Sequence, residues 1–121
     1  MGWFTKNTDK TSFNWVELNS EAQLMDLINE SETKTIVLFK HSTRCSISSS
    51  AIYRYENGVK QNDDVKHVYL DLIQYRPISN LIASELNVEH QSPQVIILKN
   101  KEVVFTTSHN GITVDSVNDF I

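Results

Sequence analysis

Apolar positions along the chain follow two rhythms, and the switching between them divides it into short alternating elements. Thr35-Ile36-Val37-Leu38-Phe39 is a continuous β-rich apolar run, too short for a helix, and reads as a central strand covered on both faces. Val65, Val68, Leu70 and Leu72 stand among polar neighbours and predict a second strand over Val65–Asp71. Val95-Ile96-Ile97-Leu98 and Val103-Val104-Phe105, parted by a few polar residues around Asn100-Lys101, predict a hairpin. Trp15-Val16-Glu17-Leu18 is a shorter alternation suited to a sheet edge.

Helical spacing fills the gaps. Ser20-Glu21-Ala22-Gln23 has the form of a capping box, with Leu24, Leu27 and Ile28 on one face after it and polar Asn29 to Glu32 closing the element. Ile47, Ala51, Ile52, Tyr55 and Val59 repeat at helical spacing, and Asn57-Gly58 offers that helix an end. Cys45 then falls in its first turn. Pro77 suits the first turn of another helix with an apolar face of Ile78, Leu81, Ile82 and Leu86. Thr113 caps a last helix that turns Val114, Val117, Phe120 and Ile121 to the core. Alternating strands and helices closed by a hairpin predict an α/β fold: a mixed sheet flanked by helices on both faces.

Composition narrows what such a domain does. With 121 residues, 40% apolar and 21% charged, the chain is expected to fold as one domain over residues 1–121, the polar first dozen being mobile. Its net charge of -4 and scattered lysines give no footprint for nucleic acid. No stretch approaches the length of a membrane span, and Met1 to Lys10 lacks the apolar segment of a secretory signal, so a cytoplasmic protein is expected. Lys6 stands where a myristoylation start wants Ser or Thr.

The candidate chemistry centres on one cysteine. Cys45 sits where a predicted strand turns into a predicted helix, at the carboxyl end of the sheet, where such folds open their sites. Free amides and the positive end of the helix favour a thiolate there, with Arg44 adjacent and Lys40 and His41 as further cations. The alternative is a packed structural cysteine. A cysteine phosphatase loop fails, because Ala51 stands where the phosphate-clamping arginine belongs. A protease has candidate bases in His41, His67, His90 and His109, with nothing to select one. One cysteine and four dispersed histidines offer no zinc spacing, so no metal is expected. Cys45-Ser46-Ile47-Ser48 has the spacing of a C-x-x-C redox motif with serine in the resolving position. Two roles fit Ser48: a hydrogen bond to the thiolate, or a first-turn serine satisfying a helix amide.

Four separated segments carry a resemblance. Lys40-His41-Ser42-Thr43-Arg44-Cys45-Ser46-Ile47-Ser48, Tyr75-Arg76-Pro77-Ile78-Ser79-Asn80, His90-Gln91-Ser92-Pro93-Gln94, and Ser108-His109 with Ile112-Thr113 are similar, in this order, to the monothiol bacilliredoxin family. The resemblance runs from about Trp15 to the C-terminus. It implies a thioredoxin-like fold and removal of bacillithiol from protein cysteines in Gram-positive bacteria, with Cys45 attacking. It also implies a cis bond at Ser92-Pro93, in a bend facing the thiol. Ser46 stands where the family often has proline, and Asn110-Gly111 replaces a bulkier pair.

On this reading the partners are S-bacillithiolated proteins and bacillithiol, which serves as co-substrate with no bound cofactor; nothing in the sequence sets an oligomeric state. Cys45 and Ser48 are the catalytic candidates, and Arg44, Arg76, His90, Ser92 and Pro93 the substrate-binding ones. Arg76 suits a carboxylate of bacillithiol's malate moiety, or is simply solvated beside Pro77. His90 suits a substrate contact, or is a surface or capping histidine. The rival function is a redox-inactive thioredoxin-fold interaction module in which Cys45 only packs.

Overall fold

A computed structural model of the chain describes residues 13–121; the expected mobility of residues 1–12 lies outside them. The elements are β1 (Trp15–Glu17), α1 (Glu21–Glu30), β2 (Thr35–His41), α2 (Ser46–Gly58), β3 (Val65–Asp71), α3 (Arg76–Leu86), β4 (Gln94–Lys99), β5 (Glu102–Ser108), a short 3-10 turn (His109–Gly111) and α4 (Val114–Asn118). The strands form one mixed sheet in the order β1-β3-β2-β4-β5. β1, β3 and β2 run parallel, while β4 and β5 are antiparallel to their neighbours.

Strand alternation sorts β2 between two cores. Ile36 and Leu38 join Leu24 and Leu27 of α1 and Ile78 and Ile82 of α3 on one face. Val37 and Phe39 join Ala51 and Tyr55 of α2 and Val117 of α4 on the other. Each such side chain contributes about 1.5–3 kcal/mol when fully buried, and β2 is buried from Ile36 to His41. No helix among the described residues is long and apolar enough to cross a membrane.

Several local expectations are corrected. β2 runs two residues past Phe39, because Lys40 and His41 both pair in the ladder, opposite Leu70 and Asp71 of β3. Ser20 accepts the Gln23 amide as a capping box requires, but the Gln23 side chain reaches back to the Asn19 amide and the Glu17 carbonyl, not to the Ser20 amide. Along α2 the buried positions are Ser48, Ala51 and Tyr55, while Ile47 is exposed. α2 does end at Gly58, where the sequence offered an end, and Val59 follows in extended geometry. The glycine serves close packing, since a Cβ there would stand 2.6 Å from a Val114 methyl. α4 stops at Asn118, so Phe120 lies beyond it and stacks on Phe105.

The hairpin turns through Asn100 and Lys101, both at positive φ (53° and 66°), the pattern of a two-residue type I′ turn. Its tip is held against the end of α1: Asn100 donates to the Ser31 carbonyl and Lys101 to the Ser31 hydroxyl.

Candidate active site

The sheet topology sets the site. β2 ends at its carboxyl edge and passes through Ser42, Thr43 and Arg44 to Cys45, which is the N-cap of α2 and not a residue of its first turn. Its backbone is extended (φ -116°, ψ 123°), its amide donates to the Ser42 carbonyl at 3.2 Å, and its own carbonyl accepts from Ser49. The thiol is free, half-buried and engaged in no capping bond. Arg44, next to it, is exposed.

Antiparallel pairing brings a second segment to this edge. Lys40 stands opposite Gln94, so the residues before Gln94 run alongside those after Lys40, and Ser92-Pro93 lies at the end of the sheet that carries Cys45. The Ser92-Pro93 bond is cis, as the resemblance implied. Gln94 braces this loop from within, donating to the Glu89 carbonyl and accepting from the Gln91 amide. The Pro93 carbonyl accepts from His109 of the turn after β5.

Ser48 takes neither expected role. It is fully buried; its hydroxyl accepts the Ser42 amide at 3.0 Å and pairs with Nδ1 of His41 at 2.7 Å. These bonds tie the first turn of α2 to the end of β2 and so fix the loop that carries Cys45. His41 packs beside Phe39 and Tyr69 and, with Thr43, Trp15 and Ile52, lines a cleft of about 610 Å³ next to the thiol segment. Sequence reasoning missed this pair. The available signal was a serine in phase with Ala51 and Tyr55 on the buried side of α2.

Lys40 is not a neighbour of the thiol on its face of the sheet. Being in phase with Ile36 and Leu38, it points to the α1/α3 side, where it is fully buried and its ammonium donates to Nδ1 of His90 at 2.7 Å. Burial, reinforced by the charge of Arg76, brings its pKa down from 10.5 to about 8. His90 is likewise lowered, first by burial and then by the charges of Lys40 and Arg76. The buried Ser79 hydroxyl lies 3.4 Å from the same nitrogen. Arg76 is exposed at the first residue of α3. The structure therefore separates the candidates into two groups: Cys45, Ser48, Ser92 and Pro93 around the thiol segment, and Arg76 with His90 around Lys40. Among the described residues no group of three or more His, Cys, Asp or Glu is arranged to hold a metal.

Residues 16–117 match the family described as monothiol bacilliredoxin BrxC. A solved protein described as having a thioredoxin fold is 32% identical, with a TM-score of 0.77 over 87% of this chain and 91% of that one. Fasciola hepatica thioredoxin is 20% identical, with a TM-score of 0.66 over 85% of this chain and 92% of that one. Schistosoma mansoni thioredoxin is 20% identical, with a TM-score of 0.68 over 89% and 93% respectively. The thioredoxin likenesses bear on the fold alone.

Proposed function

The chain belongs to the monothiol bacilliredoxin family, whose setting is thiol redox chemistry on a thioredoxin fold, and on that premise we propose that it removes bacillithiol from protein mixed disulfides through Cys45. The observation that carries the proposal is the position of the chain's one cysteine, half-buried at the N-cap of α2 and at the sheet edge shared with Ser92-Pro93.

In the first step the Cys45 thiolate attacks the bacillithiol sulfur of the target's mixed disulfide, in line with the S–S bond. That bond breaks, the target sulfur leaves as a thiolate that takes up a proton, and Cys45 carries bacillithiol. Ser48 holds no second thiol, so no internal disulfide forms. A second bacillithiol thiolate attacks the mixed disulfide on Cys45, releasing bacillithiol disulfide and the Cys45 thiolate. Bacillithiol is the co-substrate, and no bound cofactor is needed. The amides of the first turn of α2 are the donors available to the sulfur anion. Ser48 and His41 hold the loop, and the Ser92-Pro93 segment lines the path of the incoming substrate. The reaction draws on a reducing small-thiol pool, which is that of the cytoplasm.

The test is intact mass spectrometry of the protein mixed with a bacillithiolated target. Without free small thiol, Cys45 should gain the mass of bacillithiol as the target loses it, and added bacillithiol should return it to the reduced mass. Cys45→Ser should show no transfer. A target cleared equally well by Cys45→Ser, or a wild type that never gains the mass, refutes the mechanism and leaves the interaction-module reading.

A further inference from the structure

Lys40 is a buried cation with no compensating anion. Its side chain has no solvent exposure, and neither it nor Arg76 has a carboxylate within ion-pair distance among the described residues, whose ion pairs are Lys66–Glu30 and Lys101–Glu32. The shortage is local, because the chain as a whole carries 15 acidic residues against 11 basic ones. His90 gives the ammonium a hydrogen bond but no negative charge. Arg76 adds a second cation at the start of α3, one turn before Ser79, whose hydroxyl lies 3.4 Å from Nδ1 of His90, and its charge lowers the pKa of both Lys40 and His90. Burying an ammonium without a counter-charge is costly, and the cost is relieved by an anion drawn to the same place.

The donors for such an anion are present. With Nδ1 accepting from Lys40, neutral His90 carries its proton on Nε2, and that N–H has no partner among the described residues. Arg76 presents an exposed guanidinium at the first residue of α3. His90 opens the segment that leads through Gln91 to Ser92-Pro93, so the group lies behind the loop that meets the incoming disulfide.

We propose that Arg76 and the Nε2–H of His90, backed by the charge of Lys40, form an anion subsite that holds a carboxylate of the small-thiol half of the disulfide while Cys45 attacks its sulfur. The proposal rests on the disulfide-exchange reading above and adds the chemical handle that the site recognises. Lys40 never touches the carboxylate; it supplies charge from beneath and fixes the His90 tautomer.

Two disulfides of similar ring size separate this subsite from the thiol's own reactivity: dithiobis(nitrobenzoate), with a carboxylate on each ring, and neutral dithiodipyridine. Each is split by Cys45 with release of a coloured thiol. Arg76→Gln should lower the ratio of the carboxylate-reagent rate to the dithiodipyridine rate roughly three- to fivefold, the scale of one partly exposed ion pair. His90→Leu should do the same, while His90→Gln, which keeps an acceptor for Lys40 and an outward N–H, should recover most of the preference. Rates that fall equally for both reagents, or a ratio that no variant moves, overturn the subsite. The two readings fail separately: a protein that splits both reagents with the expected ratios but takes no bacillithiol from a target loses the function and keeps the subsite. Transfer with unmoved ratios does the reverse.

Discussion

The hydroxyl of Ser48 lies 2.7 Å from Nδ1 of His41 and also receives the amide of Ser42, so the residue in the resolving position is committed to closing the loop that carries Cys45. Removing it leaves the buried Ser42 amide without its acceptor. Ser48→Ala should cost about 1–3 kcal/mol in denaturant unfolding. It should also alter the alkylation rate of Cys45, because the loop loses its tie to β2. A variant as stable as wild type, with unchanged alkylation, would show that the two bonds do not hold the loop.

Gly58 makes a packing prediction. A Cβ at this position would stand 2.6 Å from one Val114 methyl and 3.0 Å from the other, and a β-branched side chain has little room to turn away. Gly58→Ala should therefore destabilise by about 1–3 kcal/mol despite the better helix propensity of alanine. In a Val114→Ala background the same change should become neutral or stabilising by up to about 1 kcal/mol. The double-mutant cycle, read by thermal or denaturant unfolding, checks both halves; additive effects would contradict the contact.

Most of the architecture was legible because it is written in periodicity. Ile36 to Phe39 and Val95 to Leu98 are apolar on both faces, and they form the central strand β2 and its neighbour β4. Thr113 caps α4 as read, with Ser116 completing the box. The misses share one cause, which is that polar side chains in the core depend on partners distant in sequence. Lys40 and His41 look like the end of an apolar run until His90 and Ser48 are seen to satisfy them. Ile47 seemed the natural buried position of α2, but the phase is set by Ser48 closing the loop, which turns Ile47 outward. Cys45 was legible from its place between strand and helix. The Lys40 cluster was not, since it is assembled by strand alternation and by a loop fifty residues further on.

His67 ties stability to acid pH. Its Nδ1 accepts from the Tyr55 hydroxyl and its Nε2 donates to the Lys60 carbonyl, an arrangement that only the neutral ring can make. Burial lowers its pKa below 6.5, partly offset by the Lys60 carbonyl. A histidine lowered on folding is protonated first in the unfolded chain, so stability falls as the pH drops below about 6.5, until the folded-state value is passed. His90 is lowered too and adds a slope of the same sign. Unfolding free energies at about pH 7 and about pH 5 should therefore differ in favour of pH 7. His67→Gln should lose part of that difference. An unchanged difference would show that His67 does not carry it.

Lys40 makes the opposite test at alkaline pH. Its pKa falls from 10.5 in the unfolded chain to about 8 in the fold, so between these values the unfolded state binds the extra proton. This group's contribution to stability therefore rises with pH from about 8 toward 10.5, as the buried ammonium sheds its charge. Tyr55 and Tyr69 act against it higher up, because their raised pKa values make stability fall once tyrosines ionise in the unfolded chain. The Lys40 slope is best read below about pH 9.5, under the ordinary tyrosine range. Lys40→Met keeps the length and apolar stem of the side chain and removes the charge. It should flatten this rise while leaving stability at neutral pH equal or higher, because a buried cation without a counter-ion contributes little net stability and its replacement leaves only Nδ1 of His90 to find another donor, with Ser79 at 3.4 Å. Denaturant unfolding of both proteins across this range checks it. A wild type with no alkaline rise, or a Lys40→Met variant that keeps it, would show that Lys40 is not held as an uncompensated cation in the fold.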